Sequence, residues 1–149
     1  MFMSENDTAV PVDRSLAAEF NAIVRGIDDD TLNRSMSDAL SRELVLAAVF
    51  REMPARMRAD RTARKRAVVR WRIGDPAAVW TVVVDVGGCT THSGPTDEIP
   101  DVTVELEMVP FLRLIAGQVG GFALTATGRL RIKGNLLLAR KLEDWFARE

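Results

Sequence analysis

A chain of 149 residues, 47% apolar and 28% charged, is long enough to bury one core and too evenly balanced for a disordered or membrane-embedded chain. Its apolar runs fall well short of the roughly 18 residues that cross a bilayer, and one cysteine excludes an internal disulfide. Net charge is −1, but residues 1–43 hold four Arg against nine acids, a net −5, and the rest carries +4. That asymmetry permits an anionic partner for the second part, although a solvated charged face accounts for it as simply.

In chain order, residues 1–12 are polar and predict a disordered lead-in without the basic start and apolar middle of a secretory leader. With the lone thiol, this points to a cytoplasmic protein. Leu16, Phe20, Ile23, Val24 and Ile27 make a helical stripe that ends near Gly26. Asp28, Asp29 and Asp30 offer N-cap carboxylates for a short helix over about 31–39. The strongest helix spans roughly 42–58, with Leu46, Val49, Phe50, Met53 and Met57 on one face and Pro54 removing one backbone hydrogen bond. The run RADRTARKR at 58–66 reads as a polar connector.

The period then changes from 3.6 to 2. Ala67, Val69, Trp71 and Ile73 alternate with Arg70 and Arg72, and Trp80, Val82, Val84 and Val86 lie opposite Thr81 and Asp85. Gly74-Asp75-Pro76 between them predicts a hairpin. A weaker third strand, CTTHS, ends at Gly94-Pro95; a fourth, DVTVELE, points Val102, Val104 and Leu106 inward. A short helix over about 110–117 has Pro110 at its first position. After Gly120-Gly121, the run GRLRIKGNLLLARKL gives a fifth strand with one basic face, then a closing helix whose first turn is Leu136, Leu137 and Leu138. A turn that is apolar on all sides must be covered or must touch something other than water. The order predicts an α+β fold: a five-stranded, mostly antiparallel sheet covered on one face by helices. Residues 13–149 form a single domain, with 13–44 an added helical segment.

Chemistry is sparsely provided. His92 and Cys89 stand three apart on one strand and therefore on opposite faces, a poor arrangement for a nucleophile and its base. One His, one Cys and no clustered carboxylates give no metal set, and neither cofactor nor catalytic residue is expected. The basic runs have no interleaved aromatic residue, so nucleic acid has no stacking platform.

By the fourth strand a resemblance emerges. DVTVELEMVPFLRLIAGQV followed by ATGRLRIKGNLLLARKLEDWF resembles the C-terminal half of the sterol carrier protein type two family, and AVVRWRIGDPAAVWTVVVDVGGC looks like its first hairpin. The similarity covers about residues 45–147, in the manner of bacterial members. It implies an apolar tunnel between sheet and helices for a sterol, fatty acid or fatty acyl-CoA, bound and carried without catalysis. Here Gly120-Gly121 replaces the acidic-Pro start of many relatives, and Pro110 replaces an acidic residue before Phe111.

The tunnel that the resemblance implies would be walled by Phe50, Met53 and Met57 from the long helix and by Trp71, Trp80, Val82 and Val104 from the sheet. Phe111, Ile115, Phe122, Leu124, Leu138, Leu142 and Phe146 would close it. Taken singly, each of these positions suits an ordinary core better, and only the resemblance joins them into a lipid site. Arg51, Arg56 or Arg140 would meet a lipid head group at the mouth. Further expectations are transient contact with an anionic membrane surface, and oligomer formation if the same groove instead serves as a protein-interaction or dimerisation module.

Overall fold

The computed structural model of the chain describes residues 19–57, 66–86 and 88–145. The expected lead-in at 1–12, most of the connector at 58–66, and Phe146 lie outside them. The elements are α1 (residues 19–25), α2 (Asp29–Ser35), α3 (Ala39–Arg56), β1 (Ala67–Ile73), β2 (Ala78–Asp85), β3 (Gly88–Ser93), β4 (Val102–Leu106), α4 (Met108–Ile115), α5 (Gly121–Ala126), β5 (Leu130–Gly134) and α6 (Leu136–Trp145).

Capping carboxylates set the first helices. Asp28 accepts from the Thr31 amide at 2.7 Å and starts α2 two residues before the expected position. That bond holds the Asp28 carboxyl below its ordinary range. Asp38 accepts from the Ser41 amide and hydroxyl at 2.9 and 3.0 Å, so α3 begins at Ala39 rather than near 42. Helix α4 likewise begins at Met108, and Pro110 occupies its third position instead of its first. That place is still within the first turn, where amides have no intrahelical acceptor and proline costs nothing.

The five strands form one sheet in the order β3-β2-β1-β4-β5. Pairing is antiparallel except between β1 and β4, which run parallel. The expected mostly antiparallel sheet is therefore observed, with one parallel pair at its centre. On the inner face Trp71 stands between Trp80 and Val104, and Val69 between Val82 and Val102. These side chains join Leu46, Phe50, Met53, Phe111, Leu112 and Leu124 in the core. Val86 does not follow the stripe of β2; it lies in the turn beyond the strand and is exposed.

A parallel β1–β4 pair requires the chain to leave edge strand β3 and cross two strands before re-entering the sheet. Residues 94–101 make this crossing over the outer face. The Thr81 hydroxyl donates to the Gly94 carbonyl at 2.9 Å, and the Arg70 guanidinium donates to the Glu98 carbonyl at 2.9 Å. Thr81, Val68 and Val83, outward by alternation, are consequently buried. The crossing ends at Asp101, whose carboxylate accepts from the Val68 amide and whose carbonyl accepts from the Asn135 amide, at 2.8 and 2.9 Å. Gly134 lies against this corner with φ +106°, and a Cβ there would sit 2.5 Å from the Asp101 carbonyl oxygen.

Candidate functional site

Four aromatic side chains converge where α3 and α4 meet the inner face of the sheet. Phe50 stacks on Trp80, with ring centroids 4.7 Å apart and 7° between planes, and lies 5.8 Å from Phe111. Trp71 meets both phenylalanines edge-on, at 6.2 Å from Phe50 and 5.6 Å from Phe111. Offset-stacked and edge-on arrangements suit the ring quadrupoles and add about 0.5–1.5 kcal/mol per pair beyond area burial. Met53, Val82, Val104 and Leu124 are buried in the same core, and Met57, Ile115, Leu138 and Leu142 pack half-buried at its margin.

Phe122, expected to help close a tunnel, is instead 86% exposed, because the six-residue α5 turns only Leu124 inward. Leu136 and Leu137 are exposed as well, so the first turn of α6 is covered on the Leu138 side alone. Of the three arginines expected at a mouth, Arg51 and Arg140 are exposed and Arg56 is half-buried.

The polar frame around this core was largely invisible in the sequence. The Thr91 hydroxyl on β3 donates to the Phe50 carbonyl at 3.1 Å. Pro54, four residues after Phe50, has no amide hydrogen to fill that role. Arg113, on the otherwise apolar α4, donates to the Val24 and Ile27 carbonyls at 2.6 and 2.5 Å, to Asp29 at 2.8 Å and to Gln118 at 2.8 Å. Arg25 adds a bond to the Ala116 carbonyl at 3.0 Å. The N-terminal helices are thereby clamped to α4. A single cation in the run MVPFLRLI is the one local sign that Arg113 has a buried task.

Reactive groups are few. Cys89 pairs in register with Val84 on the inner face and His92 with Thr81 on the outer face, so they do point apart. Burial pushes the Cys89 thiol up to about 11, away from thiolate chemistry at neutral pH. Among the described residues no cluster of three or more His, Cys, Asp or Glu is placed to hold a metal. No helix among them is long and apolar enough to cross a membrane.

A five-stranded mixed sheet backed by helices over an aromatic core defines an α+β class. The model of the SCP-2 sterol transfer family matches residues 47–147, and the chain belongs to that family. It is 30% identical over 107 residues to the peroxisomal multifunctional enzyme type 2 of Mus musculus, a match covering 68% of this chain and 15% of that protein. The chain thus spans about a seventh of that relative. In fold it is similar to the stereoselective inverting sec-alkylsulfatase Pisa1 from Pseudomonas sp., with TM-score 0.63, 17% identity and coverage of 70% of this chain and 17% of that one. It is similar also to palmitated SCP2L2 from Aedes aegypti in solution, with TM-score 0.50, 21% identity and coverage of 64% and 88%. α1, α2 and the first turns of α3 precede the family match.

Proposed function

We propose that this domain binds a hydrophobic lipid reversibly between its sheet and helices and carries it without chemistry of its own. The observation that carries the reading is the convergence of Phe50, Trp71, Trp80 and Phe111 on the inner face of a fold belonging to the SCP-2 sterol transfer family. A relative of this fold has been obtained palmitated, and an acyl chain is the simplest guest for such a lining. Sterol, fatty acid and fatty acyl-CoA are the ligand classes we assign to it. The half-buried Met57, Ile115, Leu138 and Leu142 form the margin through which a guest enters, and Arg51, Arg56 or Arg140 meets its head group.

The energetics suit carriage. Sixteen buried methylenes contribute about 12 kcal/mol at ~0.8 kcal/mol each. Immobilisation costs ~4–15 kcal/mol, which leaves affinity roughly micromolar or weaker, suited to release. We assign the domain the role of a cytoplasmic shuttle that exchanges lipid at membrane surfaces.

Native mass spectrometry of the freshly purified protein tests the reading, because a co-purifying lipid reports its own mass. Leu138→Arg should abolish uptake of palmitate while circular dichroism and sedimentation stay unchanged, and Leu138→Met should restore it. A wild-type protein that neither co-purifies with lipid nor takes up palmitate removes the proposal.

A further inference from the structure

The outer face of β1, β4 and β5 carries a charged cluster that the sheet separates from the aromatic core. The alternation that turns Trp71 and Val104 inward turns Arg70, Arg72, Thr103 and Glu105 outward. Register then sets Arg72, Glu105 and Arg131 in one row across three strands, and Arg70, Thr103 and Lys133 in the next. Lys133 Nζ lies 3.4 Å from Glu105 Oε2, Arg72 Nε 3.5 Å from the same oxygen, and Arg131 Nε 3.8 Å from Oε1. One carboxylate thus serves three cations.

That carboxylate satisfies neither their charge nor their donors. All three separations exceed the roughly 2.7–2.9 Å of a charge-assisted hydrogen bond. Among the described residues, none of the three cationic side chains donates a hydrogen bond within the protein. The Glu105 side chain is 20% exposed, against 45% for Arg72, 78% for Arg131 and 70% for Lys133, so the carboxylate forms a floor with cationic ends standing around it. Three cations on one carboxylate leave two positive charges. Arg70 is committed to the Thr96 and Glu98 carbonyls, and Asp101, which accepts from the Val68 amide, offsets its charge. Glu107 and Arg129, beside the strand ends, add one charge of each sign and leave the excess as it was. Like charges on neighbouring strands destabilise a sheet, so the fold itself gains nothing from this crowding.

We propose that this face binds a soluble phosphate monoester, its phosphoryl group seated over Glu105 between Arg72, Arg131 and Lys133. Such a group carries about −1.5 to −2 at pH 7 and presents three strong acceptor oxygens. It therefore matches both the two uncompensated charges and the three sets of unused donors. The guanidinium planes of Arg72 and Arg131 offer paired donors, and the Lys133 ammonium a point charge. A carboxylate or a phosphodiester brings a single charge and neutralises only half of the excess. The seat lies across the sheet from the aromatic core and stands or falls independently of lipid carriage.

Titration of the full chain with glycerol 3-phosphate at constant ionic strength, followed by amide NMR shifts, tests the assignment. The shifts should centre on β1, β4 and β5, and dimethyl phosphate, a monoanionic diester, should bind about fivefold more weakly. Arg131→Gln with Lys133→Gln should lower the affinity roughly tenfold or more. Lys133→Arg should retain it, and Arg34→Gln, an exposed cation on α2, should leave it unchanged. In urea unfolding without phosphate, the double variant should be at least as stable as the wild type, because two crowded like charges are gone. Glycerol 3-phosphate should raise the unfolding midpoint of the wild type and not that of the double variant. A destabilised double variant assigns the cluster to the fold and overturns the proposal. Equal affinity for monoester and diester does the same, as does binding to phosphatidylcholine vesicles containing phosphatidate by a protein indifferent to glycerol 3-phosphate.

Discussion

Pro54 has no amide hydrogen, so the Phe50 carbonyl four residues earlier lacks its helical donor, and the Thr91 hydroxyl donates in its place. The bond ties the most buried aromatic side chain of α3 to edge strand β3. Thr91→Val keeps the shape and removes the donor, which should cost about 1–2 kcal/mol in urea unfolding. In a Pro54→Ala background the restored amide takes over the carbonyl, so the same change should cost measurably less. Equal costs in both backgrounds would show that Thr91 does not serve this carbonyl. The missing helical bond is legible from proline alone. Its replacement is not, since Thr91 lies 41 residues away and a threonine in CTTHS has no local mark of a partner.

Helices and strands were legible wherever one face is buried, because burial on one side imposes a period of 3.6 or 2. Leu46, Val49, Phe50 and Met53 on α3 and Val102, Val104 and Leu106 on β4 lie inward as that period predicts. Ends shifted by two or three residues, as at Asp28 and Asp38, since a cap is one side chain and leaves no periodic trace. The join of β5 to α6 depends on one residue more strictly. Gly134→Ala would place a methyl against the Asp101 carbonyl at φ +106°, and should cost about 2–4 kcal/mol. Thermal unfolding checks this, together with faster amide exchange in β5 as its pairing with β4 loosens. An unchanged melting temperature would mean the corner yields without cost.

For the molecule as a whole, the N-terminal helices and the family core are held together by apolar burial of Val24 and Leu32 and by the Arg113 clamp. Arg113 is 14% exposed and serves four acceptors, three of them in the N-terminal segment. Arg113→Met keeps much of the apolar stem and should cost about 2–4 kcal/mol, with faster hydrogen exchange over residues 19–36. Arg113→Lys should recover only part, because an ammonium cannot span the acceptors that a planar guanidinium reaches. Unaltered exchange in α2 would mean that Val24 and Leu32 suffice for docking. The clamp joins residues outside the family match to a helix inside it, which is why the family resemblance left residues 13–44 without a role.

Composition and periodicity were enough for the α+β class, the inward residues of most elements and the opposed faces of Cys89 and His92, and the motifs around GRLRIKGN carried the family. All of these are relations between near neighbours in the chain, written in its local pattern. The parallel β1–β4 pair, the crossing that buries Thr81, the outward turn of Phe122 and the clamp at Arg113 came only from the folded arrangement. Each depends on which distant surfaces meet, and that choice is made by the summed burial and hydrogen bonding of the entire chain, to which no single segment's pattern holds the key.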